Sequence, residues 1–222
     1  MLNRILAAFA LVALAASAAL GADVAAVSDK VQKRYQSLTS FSADFTQVLV
    51  NSTSKERETR SGSLVFSQPS LIRWETRVPE PELLVVGPDA VWNVFPAEKS
   101  AYRYTVDEVL GSKTMLRFLS GKGNLREDFH VQEEKGAPEG QALLKLVPRE
   151  AEPSLVQAFA WVDLKTDMLA RISIEDFYGN TNDVTLSNVK LNPSVAKEQF
   201  RYAPPKDYTI FDNAGMQSLP RN

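Results

Sequence analysis

The chain has 222 residues, 44% of them hydrophobic and 23% charged, which suits one domain with a sizeable core and excludes a disordered chain. Its 25 basic and 27 acidic residues leave a net charge of −2, which argues against nucleic acid as the main partner because phosphate binding calls for a basic stripe. The absence of cysteine excludes disulfides, thiol catalysis and thiolate metal sites, and with them a mature lipoprotein, whose lipid is carried on an N-terminal cysteine.

Residues 1–21 have the form of a signal peptide: Arg4 supplies the positive start and Ile5 to Ala16 the apolar run. Ala19 and Gly21 sit at the −3 and −1 positions of a cut before Ala22. The apolar run is short for a membrane span. The expectation is an exported, soluble, unanchored protein in which residues 22–222 form a single domain.

The mature chain opens with an amphipathic pattern over Asp23 to Leu38, with Val24, Val27, Val31, Tyr35 and Leu38 at three- and four-residue spacing, and this predicts a helix. From Phe41 the period becomes two: Phe41, Ala43, Phe45, Gln47 and Leu49 share one strand face. A second strand over Glu56 to Phe66 places Gly62, Leu64 and Phe66 together. Gln68-Pro69-Ser70 reads as a turn, and further strands follow over residues 71–76, 83–86, 91–95 and 101–105. Asp107 to Leu119 interrupts them with one or two short helices broken near Gly111. Strands resume over residues 128–133, 142–147, 156–163, 170–177 and 183–191, with a helical turn over Ser194 to Gln199 and a closing extended stretch at Thr209 to Phe211. About eleven strands with tight turns and no strand–helix alternation predict a mainly β, α+β fold built on one antiparallel sheet that curls.

Chemistry is hard to place on this chain. His130 is the single histidine and has no nucleophile motif around it, so it reads as a half-exposed strand residue. One histidine and no cysteine give no zinc ligand set, the glycines form no P-loop or dinucleotide fingerprint, and no cofactor is expected. Paired carboxylates such as Glu133-Glu134 read as solvated charge. The prominent residues are instead apolar: Phe41, Phe45, Phe66, Trp74, Trp92, Phe95, Phe159 and Trp161 all fall in strands. They either fill a core or line the concave face of a curled sheet that needs a helical cover or a greasy ligand.

Four segments in order resemble a known family. Phe41-Ser42-Ala43-Asp44-Phe45-Thr46-Gln47 is similar to the F-x-A-x-F-x-Q strand that opens the outer-membrane lipoprotein carriers of the LolA family. Gly62-Ser63-Leu64 with Pro69-Ser70-Leu71-Ile72-Arg73-Trp74 resembles their G-x-L…P-x-x-x-R-W segment. Val91-Trp92-Asn93-Val94-Phe95-Pro96 and Phe200-Arg201-Tyr202-Ala203-Pro204-Pro205 resemble two later strands of the same family.

The resemblance implies an incomplete β-barrel with a helical lid over an apolar cavity. It implies a periplasmic, non-enzymatic chaperone that takes triacylated lipoproteins from an inner-membrane ABC transporter and passes them to an outer-membrane lipoprotein acceptor. The absent cysteine favours the soluble carrier over the acceptor, and a monomer is the default state. A related periplasmic protein that binds or senses another lipid or a glycolipid is the alternative. Phe45, Leu64, Phe66, Ile72, Trp74 and Trp92 are the expected inward, acyl-chain-facing residues; Gln68, Met115, Leu116, Phe118 and Leu119 are the expected lid contacts. Well-studied members carry an arginine that latches the lid just before the proline of P-x-x-x-R-W, and this chain has Gln68 there.

Overall fold

The computed structural model describes residues 23–111 and 123–213. Helix α1 spans Val24–Ser37. Five antiparallel strands follow: β1 Ser40–Val50, β2 Arg57–Ser67, β3 Leu71–Val78, β4 Glu82–Val86 and β5 Val91–Phe95. Strand β6, Ser100–Tyr104, leads into helix α2, Val106–Gly111; helix α3, Leu125–Asp128, precedes β7, Phe129–Glu134. Strands β8 Gln141–Pro148, β9 Gln157–Asp163, β10 Met168–Glu175, β11 Thr181–Leu191 and β12 Thr209–Asp212 follow.

All twelve strands form one sheet in the order β12-β6-β5-β4-β3-β2-β1-β11-β10-β9-β8-β7. Its edges are β12 and β7, so the barrel is not closed. The count corrects the expected eleven, because the closing stretch becomes a strand, β12. That strand lies parallel to β6, with Thr209 opposite Ser100, whereas every other pairing is antiparallel. Its partner is over a hundred residues back in the chain, so local spacing carries no sign of the pairing. Helix α3 is also an addition; the side chain of Asn124 caps it by accepting hydrogen bonds from the Arg126 and Glu127 amides.

Helix α1 begins where Asp23, its N-cap, accepts from the Ala25 and Ala26 amides at 3.0 and 3.4 Å. Val27, Val31 and Tyr35 on its inner face are buried with Leu38, just past its end, against the concave face of the sheet. The matching sheet residues are Phe41, Phe45, Leu64, Phe66, Ile72, Leu144, Leu146, Ile172 and Val184. Phe41 bridges the two layers, with its ring 6.2 Å from Tyr35 in an edge contact and 5.4 Å from Phe66.

Bulges increase the curvature of the sheet. Between β2 and β3 the register steps from Gly62–Thr76 to Ser61–Val78, so Arg77 is the extra residue. Gly62 is required here: a Cβ on it would lie 1.9 Å from the Glu75 carbonyl oxygen and 2.9 Å from the Phe45 ring.

The convex side of β3 to β6 carries its own cover. Arg73 donates to the Gln199 carbonyl at 3.3 Å, and the Trp92 ring lies 5.8 Å from Tyr202. Val85, Val94 and Phe200 are buried on this outer side. The C-terminal segment therefore shields one stretch of the outer face while β12 extends the sheet.

Candidate functional site

Register sorts the sheet residues by face, since directly opposed residues point the same way. Ile72, Val86 and Val91 are in line across β3, β4 and β5, and so are Trp74, Leu84 and Asn93. These face the concave side together with Phe45, opposite Gly62. Arg73, Val85 and Trp92 form the alternate line and face outward.

Five of the six expected inward residues, Phe45, Leu64, Phe66, Ile72 and Trp74, thus lie in the concave core. Trp92 does not. It belongs to the outer face, because the β4–β5 register aligns it with Val85 rather than Leu84. Of the expected lid residues, Met115, Leu116, Phe118 and Leu119 lie outside the described residues, as does the stretch expected to be a signal peptide. His130 is exposed on β7, and among the described residues no group of three histidine or acidic side chains is placed to hold a metal.

The concave side changes character along the strands. At one end α1 and α3 pack onto β8, β9 and β10. The apolar seam there, bounded by Val31, Tyr35, Leu144, Leu146, Ala160 and Leu169, leaves only about 20 Å³, space for about one water. At the other end the barrel opens into a cavity of about 650 Å³, within the size range of small-molecule sites, roughly 300–1,000 Å³. Trp74 stands between the two, its ring 4.4 Å from Phe45 and its other side on the cavity.

The cavity wall is amphipathic. Trp74, Leu84, Ile174, Leu49 and Val50 supply its apolar part. One step nearer the mouth, the inward positions turn polar: Gln47 follows Phe45 on β1, Thr76 follows Trp74 on β3, and Asn182 precedes Val184 on β11. Gln47 donates from its side-chain nitrogen to the Asn182 side-chain oxygen at 2.9 Å. Arg60, opposite Gln47, reaches across β3 to Glu82 at 2.8 Å and also pairs with Glu58 at 2.7 Å. Burial disfavours the charged guanidinium, but the hydrogen bonds and attraction of these two carboxylates outweigh it and hold its pKa above the usual value. Asp176 and Asn180 complete the rim from the β10–β11 turn. Sequence reasoning gave none of these polar residues a role. The alternation that places Gln47 on the same face as Phe45 was a usable signal, whereas the Arg60–Glu82 pair depends on a bulge.

Helix α1 is held over the concave face at several points. The side-chain amide of Gln68 donates to the Gln36 carbonyl at 3.0 Å, filling one of the acceptors that a helix C-terminus leaves free. Arg34 donates to the Thr166 carbonyl at 2.8 Å, and the buried Tyr35 hydroxyl accepts from the Leu169 amide at 3.3 Å. At the opposite end of the helix Asp29 pairs with Arg126 of α3 at 3.0 Å. Burial raises the Tyr35 pKa well above its ordinary value, with the Leu169 hydrogen bond only partly opposing this.

A curled, unclosed sheet with a helix strapped over one part of its hollow and an amphipathic cavity in the other is a LolA-type half-barrel. Residues 36–203 match the family model described as outer membrane lipoprotein carrier protein LolA, and the chain belongs to that family. A protein of Bordetella avium named outer-membrane lipoprotein carrier protein is 30% identical over 92% of this chain and 95% of its own length. A protein of the same name from Methylococcus capsulatus is 26% identical over 77% of this chain and 80% of its own. Among solved structures, an uncharacterised conserved protein of Thermus thermophilus shares the fold, with a TM-score of 0.55 at 17% identity, over 85% of this chain and 98% of that one. The family is one of carriers rather than enzymes, and no helix among the described residues is long and apolar enough to cross a membrane.

Proposed function

We propose that this protein is a periplasmic chaperone that encloses the acyl chains of lipoproteins released from the inner membrane and delivers them to an outer-membrane acceptor. The observation that carries this reading is the continuity of the apolar core under α1 with a cavity that opens to solvent past Trp74. Three acyl chains carry tens of methylenes, and each costs about 0.8 kcal/mol to expose to water. A carrier must cover most of that surface and still give it up.

The hold on α1 suits both demands. The helix covers apolar sheet when no cargo is present, and cargo competes with it for the same surface. Lifting α1 exposes Val27, Val31 and Leu38 and breaks the bonds from Gln68 and Arg34. That cost is subtracted from cargo affinity, which keeps the cargo transferable to a tighter acceptor without further energy input. Under this reading Phe45, Leu64, Phe66, Ile72 and Trp74 become acyl-chain contacts once α1 moves, and Trp92 does not.

The partners follow from the same reading: triacylated lipoproteins as cargo, an inner-membrane ABC transporter as donor and an outer-membrane lipoprotein as acceptor, with the carrier acting as a monomer. The test is release of a defined triacylated lipoprotein from spheroplasts. The reading expects the lipoprotein in the supernatant, bound one-to-one to this protein, only when the protein is added. Equal release without it would overturn the reading.

A further inference from the structure

The polar collar of the cavity is not needed to bury hydrocarbon. Apolar side chains at Gln47, Asn93 and Asn182 would do that better, and Arg60 and Glu82 on an inward face carry a desolvation cost. Their chemistry matches what an amphiphile presents when its tail points inward: a polar head at the level of the mouth. The carbonyl oxygen of Gln47 and the amide nitrogen of Asn182 are the halves of that pair not used in the bond between them. Asn93, in line with Trp74 and Leu84, adds a side chain that both donates and accepts.

The charges of the lining lean negative, with one cation against two carboxylates. Among the described residues that line the cavity Arg60 is the only cation, and Glu58 and Glu82 already engage it. Glu82 on β4 and Asp176 just past β10 are two carboxylates of the lining. An anionic head would meet a net negative mouth and would have to take Arg60 from its existing partners. A head bearing amides and esters would meet side-chain amides at no such cost.

We propose that this collar reads the head of the bound amphiphile, favouring an uncharged, amide-bearing head such as the acylated N-terminus of a lipopeptide over an anionic head such as a phospholipid phosphate. The inference rests on the carrier reading and deepens it. It gives the cavity a means to pass over the membrane's own anionic lipids, whose tails are as greasy as the cargo's.

Two single-chain probes of equal tail length test it, N-hexadecanoylglycinamide and hexadecyl phosphate, titrated below their micelle concentrations into the purified protein. The collar predicts a preference of about tenfold or more for the amide, the scale of one like-charge contact in a partly solvated site. Glu82→Gln, which removes a carboxylate, and Asn93→Lys, which adds a cation at a separate position, should each shift the ratio toward the phosphate. Equal affinities in the unmodified protein, or a ratio that both folded variants leave unmoved, would overturn the selectivity while leaving the carrier reading standing. Binding of neither probe would count against both.

Discussion

The side-chain amide of Gln68, in the turn between β2 and β3, donates a 3.0 Å hydrogen bond to the main-chain carbonyl of Gln36 in the last turn of α1. The contact ties α1 to the sheet through a neutral donor. Neutral hydrogen bonds contribute about 0.5–1.5 kcal/mol, and charge-assisted ones are about twice as strong. Gln68→Ala should therefore loosen the end of α1 by about 1 kcal/mol or less, read as faster amide exchange at its C-terminal turn with the sheet unaffected. Gln68→Arg should slow that exchange and slow cargo hand-over. An unchanged exchange pattern in both variants would show that the bond holds nothing.

Gly62 makes a sharper prediction about the scaffold. A methyl group there collides with the Glu75 main chain and the Phe45 ring, and backbone is the less forgiving partner. Gly62→Ala should cost at least about 1–3 kcal/mol, seen as a lower denaturation midpoint with accelerated exchange across β2 and β3. A variant as stable as the parent would mean that the close approach of these strands is not required.

Leu84 separates binding from folding better than the deeper residues do. Leu64 and Ile72 are completely enclosed, so glutamate at either would report chiefly on stability. Leu84 is half-buried on the cavity wall beside Trp74. Leu84→Glu should reduce affinity for an acylated ligand more than tenfold while costing about 1–2 kcal/mol of stability or less. Retained affinity would remove this wall from the binding surface.

Tyr35 ties stability to alkaline pH. Its phenol ionises in the unfolded chain at an ordinary pKa of 10.0 and in the folded protein only well above that, because burial opposes the charge. Its contribution is complete below the unfolded pKa. As pH rises past that value, the unfolded state loses a proton that the folded state keeps, and stability falls by up to about 1.4 kcal/mol per pH unit. Tyr35→Phe should be less stable at neutral pH, where the Leu169 amide loses its acceptor, and should fall less steeply than the parent above about pH 10. Parallel curves for the two proteins above that pH would contradict the assignment.

Much of the architecture was legible because strand alternation is a local signal. Phe41, Phe45, Leu64 and Phe66 share a face at every step of the β1–β2 register, and their spacing alone already says so. What escaped was non-local. The side to which Trp92 points depends on whether Val85 or Leu84 lies opposite it, and one residue of register reverses the answer. Strand β12 exists only because β6 offers an edge, and the Arg60–Glu82 pair spans two strands across a bulge. Residues such as Gln47 and Asn182 have unremarkable neighbours in sequence; their meaning comes from standing together at the mouth of a hollow.

The three tryptophans allow the most direct test that fatty chains enter the barrel. Trp74 faces the hollow, whereas Trp92 lies against Tyr202 on the outer face and Trp161 stacks under Arg171, with 4.2 Å between the guanidinium and the ring centre. In variants retaining one tryptophan each, with phenylalanine at the other two positions, binding a lipoprotein with brominated acyl chains should quench Trp74 strongly and leave Trp92 and Trp161 bright. Quenching confined to an outer tryptophan, or an unquenched Trp74 in a saturated complex, would contradict acyl chains inside the half-barrel.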